Sequence, residues 1–325
     1  MMPFMMRLQE AIRSKGTPLV VGIDPHLHLL PDCLLRRWSS TGGDPFQWIS
    51  EAVEEFCLSV IDRVAPLVPA VKVQSAFFER LGPLGMVVMG RVLSSARDQE
   101  LLVICDVKRN DIGSTARGYA EGFLGAEGES CSPDQEWRKS DDESAFQTLP
   151  SPWASDAITV NPYLGGDSLD PFVQVAERSQ AGIFVLVKTS NPGSKDFQDL
   201  DCSGSPLYLH VADKVEQLST ATRGSGPYGA VGAVVGATFP KQVAELRARM
   251  PHTWILLPGF GAQGAGSDHV RAAFDAKGSG AVVNSSRAIL FSFRNPPYAD
   301  HYGEQNWQDA VLQATRDSIE QLSLN

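Results

Sequence analysis

Along the chain, short apolar runs alternate with longer stretches in which apolar residues recur at helical spacing. Eight runs have strand character: 18–24 (PLVVGID), 69–74 (PAVKVQ), 101–108 (LLVICDVK), 156–162 (DAITVNP), 182–190 (GIFVLVKTS), 229–238 (GAVGAVVGAT), 253–259 (TWILLPG) and 280–286 (GAVVNSS). Their apolar positions are continuous, as required of parallel strands covered on both faces; a half-solvated strand would alternate. Eight such runs with helices between them predict an α/β fold, a single (β/α)8 TIM barrel over residues 1–325. A doubly wound sheet would carry a Gly-rich fingerprint after its first strand, and GIDPHLHLLP has none. The opening stretch, MMPFMMRLQEAIRSKG, reads as an amphipathic helix, and residues 33–50 as a small elaboration of the barrel rhythm.

One segment breaks that rhythm. Residues 126–155 hold seven acids against two bases, with many Ser, Pro and Gly, so half of the net charge of −10 sits there. The composition predicts a solvated, flexible insertion between the third helix and fourth strand, without a catalytic part. Elsewhere the polar residues fall at the C-terminal edges of the runs: Asp24, Lys72 with Gln74, Asp106 with Lys108, Asn161, Lys188 to Asn191, Gly259, and Ser285 to Arg287. In a barrel these edges share one mouth, the place where active sites are built.

Composition removes several function classes. A hydrophobic content of 43% and a charged content of 20% describe an ordinary globular protein. The acidic balance, with no basic run, excludes a general nucleic-acid binder and still permits a small anion held by a few cations. Five widely spaced cysteines without a CxxC pair argue against a disulfide framework or zinc ribbon and for a reducing compartment. No run of about 18 apolar residues spans a membrane, and no long signal-peptide core is seen, so a cytoplasmic protein is expected. His26 and His28 form the His-x-His of metal-dependent hydrolases, but His210, His252, His269 and His301 do not fall at strand ends. No metal site is expected.

The sharpest chemistry lies in LLVICDVKRNDIGSTARGYA, residues 101–120. Side chains two apart on a strand share a face, so Asp106 and Lys108 point the same way, and Asp111 lies just past the strand end. Mixed charges of this kind commonly cap a strand as surface ion pairs. Their place at a C-terminal edge, with Lys72 on the neighbouring strand, favours a catalytic array.

In the order GIDPH, VKVQSAFFE, DVKRNDIGSTA, VKTSNPGS, LLPGFGAQG and VVNSSRAIL, the chain resembles bacterial orotidine-5′-phosphate decarboxylases over roughly residues 18–125 and 156–292. The resemblance implies conversion of orotidine 5′-monophosphate to uridine 5′-monophosphate in pyrimidine biosynthesis, with neither metal nor cofactor. It implies that Lys108 stabilises and protonates the ring carbanion and that Asp106 sits against the substrate carboxylate. Lys72 and Asp111 hold the alternating charges. Asp111, Ile112 and Thr115 are expected to reach a partner's site, which makes the enzyme a homodimer. Asp24 is expected to meet a ribose hydroxyl and Ser190 the pyrimidine edge. Pro258 and Gly261 belong to a Gly-rich loop toward the phosphate, Gln263 bridges phosphate and pyrimidine, and Arg287 forks onto the phosphate. Related sequences often carry Gly before that arginine, where this chain has Ser286. Arg109 is read as a solvated or interface charge, and Asn161 and Asp167, near the fourth strand, as candidates to add to the site without a catalytic part. A magnesium-dependent sugar-phosphate decarboxylase of the same superfamily would share Asp-x-Lys-x-x-Asp, and typically carries a carboxylate where Lys72 stands.

Overall fold

A computed structural model describes residues 2–124, 151–237, 240–261 and 270–323. Among the described residues eight strands build the barrel, β1 (Leu19–Ile23), β2 (Ala70–Gln74), β3 (Leu102–Arg109), β4 (Ala157–Val160), β5 (Gly182–Lys188), β6 (Val231–Val235), β7 (Ile255–Pro258) and β8 (Ala281–Ser285), and a short antiparallel pair, Asp201–Cys202 with Ser205–Pro206, lies apart from it. The barrel strands pair in sequence order, all parallel, and β8 closes on β1 through Leu19–Val283, Val20–Asn284 and Val21–Ser285. The expected TIM barrel is therefore the observed fold.

The continuous apolar runs divide by parity into two cores. Leu19, Val21, Ile23, Val71, Val73, Val103, Cys105, Ile158, Ile183, Val185, Ile255, Leu257 and Val283 pack outward against the helical ring. Their alternates, Val20, Ala70, Leu102, Ile104, Ala157, Phe184, Val234, Leu256 and Val282, form a separate inner core. Helix α1 (Phe4–Lys15) adds Phe4, Met5 and Leu8 to that inner core. The Phe4 ring meets Phe184 edge-on at 6.2 Å, and Arg7 pairs with Asp156, whose other oxygen accepts the Val103 N–H at 2.8 Å. One end of the barrel is thus sealed with apolar side chains, leaving the opposite end for polar ones.

The remaining long helices are α2 (Pro45–Val64), α3 (Gly82–Asp98), α4 (Gly113–Phe123), α5 (Gly166–Arg178), α6 (Leu207–Thr222), α7 (Pro240–Arg249) and α8 (Trp307–Gln321). Two irregular segments gain detail, and the second departs from expectation at its C-terminal end. The elaboration at 33–50 is a helix over Asp32–Ser39 followed by the first turns of α2, which starts at Pro45 with Asp44 capping the Phe46 N–H at 3.0 Å. Residues 126–150 lie outside the described residues, but 151–155 are fastened to the barrel. Trp153 stacks on Phe123 at 5.9 Å, Arg97 donates to the Trp153 carbonyl at 3.0 Å, and Leu124 bridges to Ser155. Among the described residues no helix is long and apolar enough to cross a membrane.

Candidate active site

The inward parity that builds the inner core continues upward into polar positions: Lys72 and Gln74 on β2, Asp106 and Lys108 on β3, Thr159 on β4, Asn284 on β8. They line a cavity of about 340 Å³ together with Asp24, Ser190, Pro258, Ser286 and Arg287. Four donors converge on the Asp106 carboxylate. Lys72 Nζ lies 2.7 Å and Gln74 Nε2 3.0 Å from Oδ2; Lys108 Nζ lies 2.6 Å and the Thr159 hydroxyl 2.8 Å from Oδ1. Burial alone would push the Asp106 carboxyl up, but Lys72 and Lys108 outweigh it and hold the group well below the usual carboxylate range. Burial likewise opposes the charge on Lys72, and Asp106, with help from Asp24, more than offsets it and raises the ammonium's pKa. Both are ionised at neutral pH, in a buried place where neither could stay charged alone.

The local chain geometry serves Lys108. The β3–β4 register shifts between Cys105 and Arg109, and Lys108 takes a left-handed backbone, φ 45°, unusual for a residue with a side chain. Its N–H is received by the Thr159 hydroxyl at 3.0 Å, the same hydroxyl that donates to Asp106. Thr159 thereby ties the strained strand irregularity at Lys108 to the carboxylate it serves. The Lys108 side chain keeps 46% of its surface exposed, whereas Lys72 is 4% exposed.

Of the other expected site residues, Asp24, Ser190, Pro258 and Arg287 line the cavity. Gly261 does not; it stands beside it with φ +81°, where a Cβ would approach Ala288 to 3.2 Å. Gln263 lies outside the described residues. Asp111 and Thr115 do not line the cavity of their own chain: Asp111 accepts the Ile112 N–H at 2.8 Å, and Thr115 is exposed on α4. Arg109 pairs with Glu79 at 2.6 Å and covers the rings of Tyr119 and Phe123, a structural role. Asn161 closes a turn onto the Tyr163 N–H at 3.0 Å, outside the cavity, and Asp167 is also absent from its lining. His26 packs edge-on to Phe77 at 4.4 Å and beside His28 and Phe291, with its ring reaching the cavity wall. Burial, then Arg287, pushes its imidazole pKa down. Among the described residues no three His, Cys, Asp or Glu side chains are grouped to hold a metal.

Lys188 departs from expectation. It sits at a strand edge as foreseen, but a register shift between Leu186 and Lys188 turns it away from the cavity. It is buried against Asp199 at 2.6 Å. Gln198 adds two bonds to Thr189, each 2.9 Å. These contacts fold residues 189–200 back on themselves and hold Ser190 at the mouth. Thr159, Asn284 and this clasp escape a reading of the strand edges, because Thr159 and Asn284 look like ordinary members of buried runs.

A family model described as the orotidine 5′-phosphate decarboxylase / HUMPS family matches residues 17–131 and 144–299. A protein from Rhodopirellula baltica named orotidine 5′-phosphate decarboxylase is 50% identical over 322 residues, covering 99% of each chain. One of the same name from Nocardioides sp. is 40% identical over 297 residues, 91% of this chain and 94% of that one. Among solved structures, one from Streptomyces avermitilis aligns at TM-score 0.73 and 33% identity, covering 100% of this chain and 97% of that one. The OMP decarboxylase of Leishmania donovani aligns at TM-score 0.65 and 30% identity, covering 96% and 99%. Matched along most of its length in sequence and architecture, the chain belongs to the orotidine 5′-phosphate decarboxylase family.

Proposed function

We propose that this protein decarboxylates orotidine 5′-monophosphate to uridine 5′-monophosphate in pyrimidine biosynthesis, without metal or cofactor, through the Lys72–Asp106–Lys108 array. The observation that carries the reading is a buried carboxylate held rigid between two ammonium groups at the mouth of the barrel. Breaking the bond from carbon 6 to the carboxylate leaves its electron pair on the ring as carbon dioxide departs. No ring position conjugates with that pair, so preorganised charge must stabilise it. Asp106, fixed by four donors, cannot swing aside when the substrate carboxylate arrives. The repulsion ends as carbon dioxide leaves, while the attraction between Lys108 and the new carbanion grows. Two unit charges about 4 Å apart interact by roughly 4 kcal/mol at an effective dielectric near 20, about a thousandfold in rate for each such contact. Lys108 Nζ then gives its proton to carbon 6, and its half-exposed side chain recovers one from solvent.

The polar seam of Asp24 and Arg287 supports a nucleotide ligand, with Asp24 toward ribose, Arg287 toward phosphate and Ser190 toward the pyrimidine edge. Among the described residues nothing is hydrogen-bonded to the Arg287 guanidinium, which is exposed for an incoming anion. We further read the active form as a homodimer. Asp111 and Thr115 stand outside their own cavity on a rim that also exposes Ile112 (58%) and Tyr163 (77%), an apolar edge suited to a second copy. Mixing inactive Asp111→Ala and Lys108→Ala chains should restore partial activity; heterodimers without any recovery would refute the shared site. The direct test of the activity is loss of orotate absorbance on orotidine 5′-monophosphate in excess chelator. Turnover is expected, and activity lost to chelator and restored by magnesium would overturn the reading.

A further inference from the structure

At the seam between β1 and β8, three oxygens are buried and have no partner among the described residues: Asp24 Oδ1, Asn284 Oδ1 and Ser286 Oγ. All three residues line the active-site cavity. Asn284 is the most telling, because the residue is only 5% exposed yet its amide oxygen receives nothing. Burying an unsatisfied acceptor is costly, and one that faces a ligand cavity can be satisfied by a donor on the ligand. The neighbouring strand makes room for it. Gly22 stands beside Asn284, and a Cβ there would approach both amide atoms to 3.1 Å and Ser286 Cβ to 2.8 Å.

Ligand chemistry decides what the seam can hold. A phosphate dianion offers only acceptors and would be repelled by the Asp24 carboxylate and the amide oxygen. The pyrimidine edge is mostly acceptor as well. Sugar hydroxyls are donors, and in a nucleotide the sugar lies between base and phosphate. The seam has the same place: Lys72, paired with Gly22 in the β1–β2 ladder, leads to the charge array on one side, and Arg287 directly follows Ser286 on the other.

Resting on the proposed decarboxylase reading, we infer that Asn284 is a sugar-recognition residue, its Oδ1 accepting a hydrogen bond from a ribose hydroxyl beside the one taken by Asp24. The consequence is discrimination between a ribonucleotide and its analogue lacking the hydroxyls. A buried acceptor left unpaired by the analogue corresponds to roughly five- to a hundredfold in affinity.

The test is the dissociation constant of uridine 5′-monophosphate relative to 2′,3′-dideoxyuridine 5′-monophosphate, in wild type and in Asn284→Leu, with thermal melting of both proteins. The variant should lower the preference for the ribonucleotide at least about fivefold, by weakening uridine 5′-monophosphate and leaving the dideoxy compound within about twofold. Equal weakening of both ligands, or an unchanged ratio, overturns the assignment. Should Asn284→Leu not fold, Asn284→Ser shortens the side chain without adding apolar bulk and must lower the ratio likewise. A wild type that neither binds uridine 5′-monophosphate nor turns over orotidine 5′-monophosphate would sink the decarboxylase reading itself. A wild type that does both, with a ratio indifferent to residue 284, sinks the sugar contact alone.

Discussion

Replacing Asp106 by Asn leaves the shape of the side chain and removes its charge, and the two lysines it joins should respond differently. Lys108 can turn into solvent, its side chain being 46% exposed; Lys72, 4% exposed, cannot. The attraction lost between Lys72 and Asp106, 2.7 Å apart, is about 6 kcal/mol at an effective dielectric near 20. Removing one member of a buried pair costs about 3–5 kcal/mol, so Asp106→Asn should be less stable by that amount near neutral pH. The sign of the pH dependence is a sharper check. In the wild type Asp106 outweighs burial and raises the Lys72 pKa, so that lysine's stabilisation persists up to its unfolded value near 10.4. In the variant burial dominates and the folded pKa falls below the unfolded one. Between the two values the unfolded chain then binds more protons, and stability rises with pH. Urea unfolding followed by tryptophan fluorescence should therefore show a deficit that shrinks between neutral pH and about pH 9.5. Adding Lys72→Met, which removes the stranded charge, should recover part of it. A deficit under about 1 kcal/mol, or one that grows with pH, would refute the reasoning.

At residue 108 the left-handed backbone, φ 45°, favours glycine over alanine, so Lys108→Gly should be about 1 kcal/mol more stable than Lys108→Ala by chemical denaturation; the reverse order would contradict the strained backbone. Asp199→Ala releases the buried Lys188 that holds the loop over residues 189–200. It should raise KM for orotidine 5′-monophosphate about tenfold, while inhibition by base-free ribose 5-phosphate stays unchanged; equal effects on both would mean the clasp does not act through Ser190. Deleting 126–150 should leave kcat within about twofold, since Ser151 Oγ already reaches the Gly122 carbonyl at 2.8 Å and holds the two ends together. Extending the deletion through 155 removes the Trp153–Phe123 stack and should lower the melting temperature by several degrees, about 1 kcal/mol or more; equal melting of the two deletions would contradict the anchoring.

The barrel was legible because parallel strands buried on both faces leave a continuous apolar record, and eight such records with helices between them close in one way. Lys72, Asp106 and Lys108 were legible because charged residues at the ends of such runs stand out, and their period-two spacing puts them on one face. What sequence spacing could not convey was register. Thr159 reads as an ordinary strand threonine until the β3–β4 shift brings its hydroxyl between the Lys108 N–H and the Asp106 carboxylate. Lys188 has the right position on its strand and the wrong direction, because the shift at Leu186 turns it to Asp199. Asn284 hides within VVNSS, and its orphaned oxygen becomes visible only beside Gly22. Each of these depends on a neighbouring strand distant in sequence, which local pattern does not encode.

The central claim is that the ammonium of residue 108 meets the reacting carbon while the nucleotide is gripped elsewhere. Lys108→Ala separates the two. Its kcat on orotidine 5′-monophosphate should fall by roughly four powers of ten or more, with the dissociation constant of uridine 5′-monophosphate within about threefold of wild type. A variant that turns over at near-normal rate would contradict the account.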